Sequence, residues 1–315
     1  VGHAFIKDCE IEIGGQKIDK LYSQWLDIWN ELSDKDKDLH LGLGKNSSKH
    51  SYLDTNEVAN IATESATIAT NLERRSYIHL PFWYCKNVGL ALPLIALQYH
   101  EVKLKLSTRN LLSLLNTNAQ IISNSFVFSP PDVKLWVDYI YLDTDERRRF
   151  AQVSHEYLIE QVQRLVTSGT GTGTSLELNF NHPVKELIWI GQPTTSLGLS
   201  TPVRWVNNNQ LTNVQLKLNG HDRFEKRNCL YFTRCQVWQY HTGFGGVTNK
   251  DSIGVYSFAL KPEEHQPSGT CNFSRIDDAR LDISGAALST NLIVYAVNYN
   301  VLRIMSGMGG LAYSN

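Results

Sequence analysis

Two His-Glu pairs, His100-Glu101 and His155-Glu156, are the residues best suited to acid–base or metal chemistry. Neither continues into His-Glu-x-x-His, the spacing that sets two imidazoles on one helix face around zinc. His100 and Glu101 sit where a strand begins, and His155 falls on a connector. Cys229 and Cys235, with His221 and His241 nearby, form a second set. Structural zinc takes paired cysteines about two to four residues apart, and these stand further apart. Small buried hydrophobes are the simpler role for them. No Gly-x-Ser-x-Gly elbow occurs. The Gly-Thr run from Thr167 to Ser175 has no Gly-Lys-Ser/Thr after it, so it is not a phosphate cradle. Ser306-Gly307-Met308-Gly309-Gly310 follows a strand near the chain's end and reads as a tight or flexible turn. Arg147-Arg148-Arg149 is nearly cancelled by Asp143-Thr144-Asp145-Glu146, which favours a solvated or interfacial salt-bridge network over nucleic-acid contact. Asn46-Ser47-Ser48 and Asn272-Phe273-Ser274 match the glycosylation pattern, which makes Asn46 and Asn272 the possible attachment points. No secretory signal precedes them, so conventional modification is not expected. No catalytic residue, metal ligand or cofactor-binding residue is assigned.

Composition narrows the class. Of 315 residues, 42% are hydrophobic and 19% charged, a globular balance rather than a disordered one. Lys and Arg number 30 and Asp and Glu 31, a net charge of -1. A nucleic-acid-coating protein carries a large positive excess, so no direct nucleic-acid binding is expected. The longest apolar stretch, Val88 to Leu97, contains Pro93 and falls short of the roughly 20 residues a spanning helix needs. The five cysteines are widely spaced and odd in number, which fits reduced thiols in a cytosolic setting.

The elements that must position these residues are mostly strands. Cys9 to Ile13, Val102 to Leu106, Leu135 to Leu142, Ser175 to Phe180, Val214 to Leu218 and Leu292 to Ile304 alternate or are continuously apolar, bounded by turn residues. Helix is expected over Lys20 to Leu32, where Leu21, Trp25, Ile28, Trp29 and Leu32 form one stripe. Two further helical segments are expected, Thr55 to Leu72 inside an insertion and a connector over Phe150 to Val166. The Gly-Thr run reads as a loose linker. It divides the chain into 1–166, a linker at 167–175, and 176–315. The hairpin signals at Gly14-Gly15 and Asn219-Gly220, and the later pair Leu135–Ile140 and Val294–Val301, come in the same order in both halves. That order favours a duplicated β module and two β-sandwiches side by side. The chain's 7 Trp, 14 Tyr and 11 Phe fill cores, and any exposed ones suit a subunit interface.

A family resemblance rests on long collinear segments. Pro81-Phe82-Trp83-Tyr84-Cys85-Lys86-Asn87-Val88-Gly89-Leu90-Ala91-Leu92-Pro93-Leu94-Ile95-Ala96-Leu97-Gln98-Tyr99-His100-Glu101-Val102 resembles the major capsid proteins of large nucleocytoplasmic DNA viruses, the algal viruses and iridoviruses among them. So do Glu12 to Asp19, Trp136 to Thr144, Pro267 to Asp277 and Asn298 to Ala312. The algal-virus branch is the nearest match. The resemblance implies an all-β double jelly roll, two tandem eight-stranded modules with short helices in the insertions. It implies a homotrimer of pseudo-hexagonal outline that builds an icosahedral shell, and no enzymatic activity or cofactor. Its partners would be itself, neighbouring capsomers and minor capsid proteins, and its place the virion, assembled in the host cytoplasm. No membrane insertion is implied, although such a shell can overlie an internal membrane. In this family further strands precede the Gly14-Gly15 turn. The first module is therefore expected to lack its opening strands, and the chain by itself is expected to aggregate or fail to trimerise. The insertion from Ser33 to Tyr77 would be a loop at one end of the first module. A carbohydrate-binding β-sandwich is the alternative reading, and an enzyme the next.

Overall fold

The computed structural model describes residues 2–33, 78–109, 133–193, 211–243 and 252–313. The expected helix at Thr55 to Leu72, nearly all of the insertion and Asn46 lie outside the described residues.

The first hairpin forms where alternation meets two glycines. β1 (Ile6–Ile13) turns through Gly14 and Gly15, at φ +58° and +85°, into β2 (Gln16–Tyr22). Two consecutive positive φ values suit the twist of an antiparallel pair, and glycine adopts them without strain. β3 (Val102–Thr108) pairs with the other edge of β1, so the sheet order is β2-β1-β3. Cys9, Ile11 and Ile13 point into the core, while Lys103 and Lys105 line the edge strand. Charged edges of this kind deter pairing with other chains.

β10 (Ala279–Met305) is the spine of the second sheet. Along one edge it carries β4 (His155–Glu177), paired from Arg280 opposite Glu177 to Ile304 opposite His155 with one register shift between Ser284 and Leu288. Along the other edge it pairs first with β6 (Leu211–Leu218) and then with β5 (Pro183–Pro193). β7 (His221–Asn228) closes on β6 through Asn219 and Gly220, again at positive φ. β8 (Ile253–Ser257) and the two-residue β9 (Cys271–Asn272) lie against β5, and β11 (Met308–Leu311) folds back on the end of β10.

Period-2 alternation on β5 and β10 feeds two cores. Ile188, Ile190, Ile293, Tyr295 and Val297 face one way, onto β1, β2 and the helix α2 (Ser23–Ser33). Leu187, Trp189, Leu292, Val294 and Ala296 face the other, onto Val214, Leu216, Phe232 and Phe273. Each fully buried side chain of this size contributes about 1.5–3 kcal/mol. The remaining helices are short: α1 (Gly2–Phe5), α3 (Trp83–Lys86), α4 (Thr144–Gln152) and α5 (Gln236–Tyr240), the last entered through a π-turn at Tyr231–Cys235.

Four local expectations change. The first helix begins at Ser23 because Lys20 to Tyr22 belong to β2. The connector over Phe150 to Val166 splits into α4 and the start of β4, where Ile159 is buried and Val162 takes a bond from its N–H to the Asp19 carboxylate. The Gly-Thr run is not loose: it lies inside β4, opposite residues 282–292 of β10. Threonine favours strand, and ladder hydrogen bonds offset the freedom of the glycines. Leu135 to Leu142 is not in a sheet; it has no ladder partner among the described residues.

Candidate functional site

The residues singled out for chemistry are scattered and structurally employed. His100 packs beneath the first hairpin, where a Cβ on Gly14 would overlap its ring, and its Nδ1 accepts the N–H of Gly309 at 3.0 Å. It therefore pins the β1–β2 turn to the β10–β11 hairpin. Glu101 is exposed and pairs with Lys103 at 3.1 Å. His155 lies 2.8 Å from the carbonyl of Phe150 and stacks between Phe150 and Tyr157, while Glu156 pairs with Arg303 at 2.7 Å. Cys229 is buried in the second core, Cys235 is exposed on the π-turn, and His221 is exposed on the β6–β7 hairpin. His241 is buried between two carboxylates, Glu186 and Glu263. Among the described residues, no group of three or more His, Cys, Asp or Glu could hold a metal ion. Among them, too, no helix is long and apolar enough to cross a membrane.

Sequence reasoning missed a buried ion cluster. Glu160 on β4 meets Lys185 on β5 at 2.6 Å and Lys86 on α3 at 2.9 Å. Burial opposes charge on Glu160 and Lys185. The two ammonium groups nevertheless hold the Glu160 carboxyl below its usual range, while burial pulls Lys185 down. Lys86 also lies 4.1 Å over the Trp29 ring. The cluster ties α3, β4 and β5 together, and no motif spacing announces it, because its members are distant in sequence and meet only through the strand pairing.

Asn272 is exposed, but its Oδ1 accepts the N–H of Ser274 at 3.1 Å, and the Ser274 hydroxyl accepts the N–H of His182 at 2.8 Å. Phe273 between them is buried. The acceptor triplet is therefore wound into a surface turn of the second module.

The feature with unmet chemistry is a surface. Residues 133–141 belong to neither helix nor strand and face outward: Trp136 is 82% and Tyr141 92% exposed, and Val137, Tyr139 and Ile140 are exposed as well. Asp143 then caps α4 in a reciprocal capping box with Glu146. Arg147, Arg148 and Arg149 on that helix are all exposed, and Arg148 faces Asp145 at 3.8 Å. A second large aromatic, Trp238 on α5, is 81% exposed. Patches of this size on a folded protein mark surfaces that bind other macromolecules. They stand apart from core aromatics such as Trp25, Trp83, Trp189 and Tyr295.

Comparison with known proteins covers the whole chain. Residues 146–310 match the family described as large eukaryotic DNA virus major capsid protein, and residues 1–143 match the major capsid protein N-terminus. The major capsid protein of Pyramimonas orientalis virus is 45% identical, over 100% of this chain and 78% of that protein. That of Paramecium bursaria Chlorella virus 1 is 38% identical, over 98% of this chain and 79% of that protein. Among solved structures, a quasi-atomic model of the PBCV-1 virus capsid superposes with a TM-score of 0.70 at 35% identity, covering 99% of this chain and 84% of that one. The Faustovirus major capsid protein superposes with a TM-score of 0.67 at 13% identity, covering 96% of this chain and 72% of that one, a likeness of fold alone.

Proposed function

From the premise that the chain belongs to the family of large eukaryotic DNA virus major capsid proteins, we propose that it works by closing into a homotrimer whose outline tiles an icosahedral shell. It is a structural subunit of the virus capsid, and its fold is the double jelly roll. It associates with itself and with neighbouring capsomers.

Three chains with two similar modules each present six lobes, and a cyclic trimer repeats one heterologous contact until the ring closes. The observation that carries the trimer is the exposed strip 133–142, with Trp136, Tyr139 and Tyr141 in water while most other large aromatics among the described residues are packed. Obligate interfaces bury large apolar areas, and aromatic residues are enriched in them. The exposed charges of α4 suit the weaker contacts between capsomers. Minor capsid proteins complete the shell, assembly takes place in the host cytoplasm, and the chain neither catalyses a reaction, binds nucleic acid directly nor inserts into a membrane. The near-neutral charge supports the nucleic-acid part of that reading. Asn272 is the described position open to a glycan.

The division into a first jelly roll over 1–166, a junction at 167–175 and a second jelly roll over 176–315 belongs to the same proposal. The two separate cores, one around β1, β2 and α2 and the other around Phe232 and Phe273, support two modules, with the junction built as strand.

Light scattering after size exclusion tests the trimer, on the chain joined to the strands expected ahead of the Gly14-Gly15 turn. A particle of three chains is expected, with Trp136→Ser combined with Tyr141→Ser shifting it toward monomer. A stable monomer of that extended chain overturns the trimer.

A further inference from the structure

His241 stands where four elements meet. Its own N–H closes the end of α5 on the Val237 carbonyl at 2.9 Å. The imidazole is fully buried: Nε2 lies 3.1 Å from Glu186 Oε2 on β5, and Nδ1 3.1 Å from Glu263 Oε1 in the turn after β8. The same Glu263 oxygen accepts the N–H of Thr242 at 3.0 Å. Thr242 Oγ1 donates to the Ser33 carbonyl at 3.0 Å, and the Gly243 N–H to the Leu32 carbonyl at 2.6 Å. Residues 241–243 thereby join α5, the sheet, the Glu263 turn and the C-terminal end of α2.

The surrounding charges leave His241 as the counter-charge in contact with Glu186. Lys185, beside Glu186 on β5, feels its charge but makes its ion pair with Glu160, and Tyr299 on β10 lies near both glutamates. In the turn, Lys261 pairs with Glu264 at the surface, and His265 faces Glu160. On α2, the Glu31 backbone carbonyl lies against Gly243. Neither oxygen of Glu186 has a hydrogen-bond partner among the described residues, and His241 Nε2 meets it at ion-pair distance without alignment for a bond. A buried carboxylate in that position depends on the opposing charge, and removing one partner of a buried pair is strongly destabilising.

We propose that the imidazolium of His241 is a pH-released clamp, which on losing its proton leaves Glu186 without its facing charge and loosens the hold of residues 241–243 on the Glu263 turn and the end of α2.

Burial alone would drive the proton off His241, but Glu186 and Glu263 reverse that and hold its pKa up to about 9. Burial pushes the Glu263 carboxyl up, and the bonds from His241 and Thr242 outweigh it, leaving that carboxyl below its usual range. An unfolded histidine titrates near ~6.5. The clamp's stabilisation is therefore complete below about pH 6.5 and lost as pH rises through about 9. Release is an alkaline event.

The test is denaturant unfolding of the full chain and of His241→Gln, at about pH 7.5 and about pH 10, with hydrogen exchange at Gly243. Across that interval the unfolding constant of the unaltered chain is expected to rise roughly thirtyfold more than that of His241→Gln. Exchange at Gly243 is expected to accelerate beyond its intrinsic rate over the same range. Where His241→Gln does not fold, Glu263→Gln decides: an imidazole resonance titrating near 9 must move down in that variant. Equal pH dependence in both chains overturns the clamp. So does a full set of imidazoles titrating below about 7.5, or a Gly243 that stays protected while His241 titrates.

Discussion

At the scale of the residue, the buried polar groups join elements that share no sequence neighbourhood. Asp19 on β2 is the sharpest case. Its Oδ1 accepts the N–H of Lys20 at 2.8 Å and of Val162 on β4 at 3.1 Å, which stitches the first sheet to the second. Burial pushes its carboxyl up to about 7, while the two N–H bonds pull the other way. An unfolded aspartate loses its proton near ~3.9. Between those two values the unfolded state holds fewer protons than the folded one, so stability falls as pH rises. Asn keeps an acceptor oxygen for both N–H groups and carries no charge. Asp19→Asn is therefore expected to gain on the unaltered chain by about 1–3 kcal/mol between about pH 5 and about pH 8, read from denaturant midpoints. A gap that stays constant across that range would mean the carboxyl is ionised throughout.

At the scale of the element, the Gly-Thr run is the place where composition and context disagree. Alternating glycine and threonine has the look of a flexible tether, yet 167–175 lies within β4 and pairs with β10 on both sides of a register shift at Gly171–Gly173. In an antiparallel ladder, successive N–H groups point alternately toward and away from the partner strand. Of two adjacent proline substitutions in the regular part of the ladder, Ser168→Pro and Gly169→Pro, one must remove a bond to β10. That one is expected to cost more than about 1 kcal/mol in thermal or denaturant unfolding, and the other less. A loose tether would tolerate both equally. The opposite error occurs at 135–142, whose aromatic and β-branched residues promise a strand that finds no ladder among the described residues. Both misreadings have one cause: strand formation is decided by what lies alongside, and a single sequence does not reveal its neighbour. Features fixed by local geometry were legible. The two hairpins declare themselves by Gly14-Gly15 and Asn219-Gly220, and the α2 stripe by its spacing. The Glu160 and His241 clusters were not legible, because their partners come from elements far apart in the chain.

At the scale of the whole molecule, two cores share one spine. Val294 and Tyr295 are neighbours on β10, yet Val294 packs with Trp189 and Phe232, while Tyr295 packs with Trp25 and α2. Neither core can lose its face of β10 without stripping the other of its backing, since the same hydrogen-bonded strand supports both. Two modules that merely lay side by side would melt as two events, the usual behaviour of chains with independent domains. A shared spine couples them. Calorimetry of the full chain is expected to give one transition, with the calorimetric and van't Hoff enthalpies equal. Val294→Ala and Tyr295→Ala, each creating a cavity on its own side, should lower that one transition, by about 1–3 kcal/mol for the smaller side chain and about 3–5 for the larger. A variant that splits the melt in two, with only its own core destabilised, would show that the modules fold apart and that β10 is a seam between them. For a protein that tiles a shell, the coupled arrangement matters mechanically. A single transition would mean that strain applied to one module's contacts reaches the other through the sheet, so that the subunit meets the lattice as one rigid body rather than as two hinged lobes.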